Sequence, residues 1–198
     1  MNITNEVNRI KSESEVLHNR IDSEVLRKSI KHVSGGDLFE FGVCNGGSVR
    51  TMLDSVQGQK IYGFDSFLGL PEAWTGQREH EFPKGFFSTN GNVPNIKDER
   101  VVFVKGFFDE SLPVFMKSYS GEVGLIHVDC DLYSSTKTVF QYMKPFIKSG
   151  VVIVFDELLN YPDFELHEIK AWLEFVEETG VTYKYLYSGR EQVGLIIL

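Results

Sequence analysis

Five short apolar runs, "DLFEFGV", "KIYGF", "RVVFVKG", "VGLIHVD" and "GVVIVFD", recur along this chain with helix-length segments between them. Strands that are apolar almost throughout are buried on both faces, and such strands alternating with helices form a parallel sheet covered on each side. The crossover segments fall at 46–57, 109–118 and 134–147. A stripe of Ile169, Trp172, Leu173 and Val176 predicts a further helix, stopped by Gly180. At the end of the chain "VTYKYLY" and "QVGLIIL" are joined only by "SGRE", a connection short enough to force an antiparallel pair. The expected architecture is α/β, doubly wound and Rossmann-like, with a mostly parallel seven-stranded sheet and a C-terminal antiparallel hairpin.

The 198 residues suit one domain, with 1–35 an N-terminal helical segment and 36–198 the core. Val16, Leu17, Ile21, Val25, Leu26, Ile30 and Val33 predict one amphipathic helix from Glu15 to about Val33, which could also pair with another subunit in a homo-oligomer. The stretch 66–100, rich in Gly, Pro and Asn, reads as a long functional loop with one short helix.

With 28 acidic against 20 basic residues the formal charge is −8, which disfavours nucleic acid and anionic membrane surfaces. No apolar run approaches the roughly 20 residues of a membrane span, so a cytoplasmic protein acting on small molecules is expected. Cys44 and Cys130 form no CxxC pair and read as free packing thiols, not as a disulfide or zinc site.

Where the first strand turns into its helix stands "EFGVCNGGS", residues 40–48. In an open α/β sheet a ligand binds beyond the carboxyl ends of the strands, where strand order reverses. Bare backbone at Gly42, Gly46 and Gly47 lets N–H groups approach a ligand, although glycines also serve turns that bind nothing. Glu40 would repel a pyrophosphate but accept hydrogen bonds from an ammonium-bearing ligand. Asp65 ends the next strand where Rossmann-like folds hold ribose hydroxyls; its other reading is a turn cap.

Asp129 and Asp131 in "HVDCD", with Asp156 and Glu157 in "VFDE", gather at the same sheet edge. Neighbouring strands lie about 4.8 Å apart, which brings such carboxylates within reach of one ion, and all-oxygen ligands favour a hard cation such as Mg²⁺. One of the four acids could instead cap a helix that follows.

"EFGVCNGGSVRTM", "IYGFDSFLGLPE", "VKGFFDESLP" and "HVDCDLYSSTKTVFQYMKPFIKSGVVIVFDE" resemble the class I S-adenosylmethionine-dependent methyltransferases of the macrocin O-methyltransferase (TylF-like) family. The resemblance implies a Rossmann-like methyltransferase fold binding S-adenosylmethionine. Glu40, Gly42, Gly46 and Ser48 would lie along the methionine and ribose region, Asp65 at the ribose, and Phe107 near the adenine. It further implies Mg²⁺ on Asp129, Asp156 and Glu157, the last a departure from the family's usual Asp. Asp131 is then left as the general base for a small-molecule hydroxyl acceptor, a sugar, polyol or natural product.

Around these residues His127 reads as a core histidine and His167 as an exposed helix residue or a weaker base. Ser134 or Ser135 is the expected cap of the following helix, and Tyr133 is expected to face the acceptor. Trp74, Phe82, Phe86 and Phe87 form either an aromatic lid or a satellite core. Two rivals remain open. D-x-D also serves metal-dependent glycosyltransferases, and a non-catalytic cofactor-binding module would use the same glycine turn.

Overall fold

The fold is seen in a computed structural model that describes residues 2–18, 23–75 and 81–198. In chain order the elements are α1 (Ile3–Glu13), β1 (Glu15–Val16), α2 (Glu24–Ile30), β2 (Asp37–Phe41), α3 (Gly47–Ser55) and β3 (Ile61–Asp65). A small hairpin follows, β4 (Trp74–Thr75) and β5 (Glu81–Phe82), then β6 (Val101–Lys105), α4 (Phe108–Met116), β7 (Val123–Val128) and α5 (Tyr133–Met143). The chain closes with β8 (Val152–Phe155), α6 (Glu168–Thr179), β9 (Tyr183–Ser188) and β10 (Val193–Ile197).

The main sheet runs β1-β9-β10-β8-β7-β2-β3-β6. The five apolar runs are the parallel strands β2, β3, β6, β7 and β8, and β10 is antiparallel to both β8 and β9. These are the seven strands expected from the sequence; the two-residue β1 adds an eighth along β9. From β2 the chain builds outward through β3 to β6, then returns to the other side of β2 with β7. The reversal therefore lies between β2 and β7.

Side-chain alternation along each strand divides the core into two layers. Phe39, Phe41, Ile126, Val128 and Phe155 pack with α4, α5 and α6, whereas Leu38, Leu125, Val152 and Val154 pack with α2 and α3. Glu40 and His127, cross-strand partners in β2 and β7, fall on the second face. The same alternation that buries the phenylalanines on one side sends these two polar residues under α3.

The N-terminal segment differs from the single helix expected over Glu15 to Val33. A helix forms earlier, as α1, with Asn2 Oδ1 accepting from the Asn5 amide at its start. Glu15 and Val16 are extended because the edge of β9 offers them backbone partners, including Leu17 N to Ser188 O at 2.7 Å. The position of Ile21 lies outside the described residues, and helix resumes only at α2. α1 escapes an apolar-periodicity reading because Glu6 occupies its inward stripe between Ile3, Val7 and Ile10. Glu6 is buried and accepts hydrogen bonds from the Tyr183 and Tyr185 hydroxyls, each at 2.7 Å.

Removing that acceptor leaves two phenols buried without it, so Glu6→Ala is expected to cost about 2–3 kcal/mol. At the 2–4 °C per kcal/mol usual for chains of this size, the melting temperature should fall by roughly 4–12 °C. A shift below about 1 °C in thermal unfolding would show that α1 does not depend on this contact. Burial, with the Glu6 hydrogen bond, holds Tyr183 neutral and pushes its pKa up to about 12. An unfolded tyrosine ionises near 10. Its contribution is therefore complete below pH 10 and is lost as pH rises towards 12, which places the alkaline unfolding limb in that window.

Candidate active site

At the reversal point β2 ends at Phe41 and β7 at Val128, held side by side by Asp129 N donating to Phe41 O at 2.9 Å. Gly42 follows with φ +100°, and a Cβ there would overlap the carbonyl oxygen of Asp129. The first bare position of the turn is thus required by the protein's own backbone. Gly46 is left-handed as well, and a Cβ there would press on Ile96, Pro94 and Arg50. Gly47, helical and uncrowded, has no atom within 4 Å of such a Cβ.

The Asp65 carboxylate organises this turn. Its Oδ2 accepts from the Val43 and Cys44 amides at 2.8 and 2.7 Å, and its Oδ1 from Phe67 N at 2.6 Å. One side chain fixes both the glycine turn and the start of the loop after β3. A carboxylate has about four acceptor sites, so capacity for a further donor remains.

Glu40 is fully buried under the turn. Ser48, in the first turn of α3, donates to its Oε1, and His127 Nδ1 lies 3.1 Å from its Oε2. Burial, the largest influence on His127, opposes its protonation, but the charge and hydrogen bond of Glu40 and the charge of Asp156 outweigh it and raise its pKa. His127 is buried as expected, and within that core it is tied to the Glu40 carboxylate by a polar contact.

Above this layer a cavity of about 650 Å³ opens at the carboxyl ends of the parallel strands. Of the residues singled out from the sequence, Gly42, Asp65, Phe107, Asp129, Asp131 and Glu157 line it. Glu40, Gly46, Ser48 and Asp156 are not among the residues that line it. Carboxylate oxygens of Asp129, Asp156 and Glu157 all lie within 4.8 Å of one another, and Asp156 also accepts from Gln192. Burial, then the charge of Asp156, drives the pKa values of Asp129 and Glu157 well above the carboxylate range. Three oxygen donors so crowded, two of them desolvated, suit a hard divalent cation, whose charge would relieve their repulsion.

Asp131 is buried and adopts φ +62°. Burial, followed by the charges of Asp156 and Asp65, pushes its pKa up to about 7. Glu168, absent from the sequence-derived set, lies wholly buried in the first turn of α6. Burial raises its pKa, while the backbone amides of Cys130 and Asp131 favour its charged form. Its signal was a charged residue four before Trp172 and seven before Phe175, on a stripe otherwise apolar.

Several neighbours depart from expectation. Tyr133 points away from the cavity, donating to Glu174 at 2.7 Å under the ammonium of Lys170. α5 is capped by neither Ser134 nor Ser135: Leu132 holds the cap position without a side-chain bond, and Ser134 donates to Glu72 at the cavity wall. His167 is not an exposed helix residue; it is half-buried, 6.3 and 6.2 Å from the rings of Trp74 and Tyr161, and outside the cavity lining. Loop 66–100 contains the β4–β5 hairpin, and its described residues hold no helix. Trp74, Leu70, Leu132 and Tyr161 with Phe82 form a satellite core, whereas Phe86 and Phe87 remain exposed at the rim. No described helix is long and apolar enough to cross a membrane.

Residues 15–185 match the family described as macrocin-O-methyltransferase (TylF). The chain is 28% identical over 140 residues to the 8-demethyl-8-(2,3-dimethoxy-alpha-L-rhamnosyl)-tetracenomycin-C 4'-O-methyltransferase of Streptomyces olivaceus, covering 62% of this chain and 52% of that protein. It is 24% identical over 184 residues to the demethyldecarbamoylnovobiocin O-methyltransferase of Streptomyces niveus, covering 78% of this chain and 67% of that protein. The chain thus spans about half of the first relative's length and two thirds of the second's. Among solved structures the O-methyltransferase NovP superposes with a TM-score of 0.66 at 21% identity, over 86% of this chain and 77% of NovP, which shows a shared fold.

Proposed function

The chain belongs to the macrocin O-methyltransferase (TylF) family, and from that premise we propose that it methylates a hydroxyl of a small sugar-, polyol- or natural-product-type molecule, using S-adenosylmethionine and Mg²⁺. The observation that supports this reading best is the single cavity. It joins the Asp65-braced turn, a place for a nucleoside, to a buried carboxylate cluster suited to a cation and a base. The curated relatives' names also place their chemistry on oxygen.

Gly42, Asp65 and Phe107 line the donor end in this reading, with Asp65 offering its remaining acceptor capacity to ribose hydroxyls. Glu40, Gly46 and Ser48 shape that end from beneath. Asp129, Asp156 and Glu157 hold the cation. When bound, S-adenosylmethionine supplies an electrophilic methyl group and Mg²⁺ lowers the pKa of a nearby hydroxyl. Asp131, at the cavity surface and close to neutrality in proton affinity, takes up the hydroxyl proton. Its neighbours hold the acceptor oxygen in line, and orientation of this kind is worth about 7–11 kcal/mol in favourable cases.

Calorimetric titration separates this from the D-x-D glycosyltransferase. S-adenosylhomocysteine should bind, and uridine diphosphate should not; the reverse pattern overturns the proposal. Removing divalent ions with a chelator should suppress turnover and Mg²⁺ should restore it, whereas activity indifferent to chelation removes the metal from the scheme.

A further inference from the structure

Asp156 follows β8, where its amide donates to Val128 O at 2.9 Å and fixes its backbone against β7. Its carboxylate is held from the opposite side of β8. The antiparallel register of β10 on β8 sets Val193 against Phe155, so one step further along Gln192 faces Asp156, and its Nε2 donates to Asp156 Oδ1. Nε2 of the buried His127 is 4.0 Å from the same oxygen, beyond hydrogen-bonding reach. Gln192 is itself fixed by the β9–β10 turn, which Gly189 N closes by donating to Gln192 O at 2.9 Å. That turn is tied to the segment directly after Asp156 and Glu157. Leu158 N and Leu159 N donate to Glu191 O at 2.9 and 3.3 Å, and Asn160 Nδ2 to Arg190 O at 2.5 Å. An amide in this place engages one carboxylate oxygen without cancelling the charge that attracts a cation, as a lysine or arginine would.

We propose that Gln192, on the C-terminal hairpin, is a positioning residue for the cation: by holding Oδ1 it makes Asp156 a ligand through Oδ2 alone, and so selects a small six-coordinate ion over Ca²⁺. The inference rests on the cation part of the proposed function and deepens it. Ca²⁺ gathers six to eight oxygens and readily takes both from one carboxylate, whereas Mg²⁺ needs near-octahedral geometry and keeps several waters. A carboxylate with one oxygen already engaged suits the second ion. Partners behind the direct ligands orient them in this way in metal sites generally.

The test uses the full chain with Mn²⁺ as the probe, because electron paramagnetic resonance counts the free ion directly. Gln192→Met keeps the length of the side chain and loses the donor. It should weaken Mn²⁺ binding by about 10–100-fold, the range typical of a lost outer partner. Affinity for S-adenosylhomocysteine without metal should stay within about twofold, since Gln192 is not among the residues that line the cavity. Arg190→Ala, in the same turn with its side chain 65% exposed, should leave Mn²⁺ affinity within about twofold. In the wild-type protein, where no variant need fold, Mg²⁺ should displace Mn²⁺ at a lower concentration than Ca²⁺ does. Mn²⁺ affinity unchanged in Gln192→Met, an equal loss in Arg190→Ala, or displacement by Ca²⁺ ahead of Mg²⁺ each overturns the inference while leaving the cation in the proposed function. A wild-type protein that binds no Mn²⁺ removes the cation from that function, and the inference with it.

Discussion

Asp131→Asn should leave the fold and the affinity for S-adenosylhomocysteine unchanged and lower kcat by about 10²–10⁴-fold, the range that a general base supplies. The substitution isolates the chemistry unusually well. Asp131 holds φ +62°, a conformation that asparagine tolerates as readily as aspartate. The amide matches the carboxyl in shape but cannot accept the hydroxyl proton. Burial and the charges of Asp156 and Asp65 already bring this carboxyl to about 7, where about half of it is ionised at neutral pH and the ionised form is strong enough to act as a base. Single-turnover rates measured beside a thermal melt check the claim. A loss of less than twofold in a folded variant assigns the base elsewhere.

Gly42→Ala should be the most damaging small change in the glycine turn. The residue sits at φ +100°, and the added methyl would overlap the Asp129 carbonyl across the β2–β7 junction. Left-handed strain costs about 1–3 kcal/mol and overpacking a similar amount, so a loss of roughly 3–5 kcal/mol is expected. That corresponds to a fall of roughly 6–20 °C in melting temperature for a chain of this length. Gly47→Ala is the matched control: it lies at the start of α3 with open space around the new methyl and should be neutral or slightly stabilising. If the two variants melt within about 2 °C of each other, the close approach of Asp129 to Gly42 is not what the turn requires.

The apolar runs fixed the parallel strands because a strand buried on both faces leaves little freedom of composition. The short "SGRE" link fixed the antiparallel hairpin because no crossover fits in four residues. The acids at the ends of β7 and β8 were legible because adjacent parallel strands must bring their ends together, and three of them do meet.

What sequence missed were polar residues used on buried faces. Glu6 and Glu168 stand on helical stripes as if they were apolar, so periodicity passed over both. Glu40 invited a ligand-facing role by its place beside the glycines, yet pleat alternation turns it under α3 to Ser48 and His127. Tyr133 and His167 depended on which way a helix start faces, and that is set by residues distant in the chain, Glu174 for Tyr133 and Trp74 for His167. Local pattern carries no record of such contacts.

The central claim is that one cavity at the β2–β7 reversal holds both a methyl donor and a divalent cation. A crystal grown with S-adenosylhomocysteine and Mn²⁺ tests it most directly, because manganese identifies itself by anomalous scattering. The account predicts an anomalous peak in coordination contact with Asp129, Asp156 and Glu157, and the nucleoside sugar beside Asp65 in the same chamber. S-adenosylhomocysteine seated elsewhere, or manganese absent from those carboxylates at saturating concentration, would contradict it.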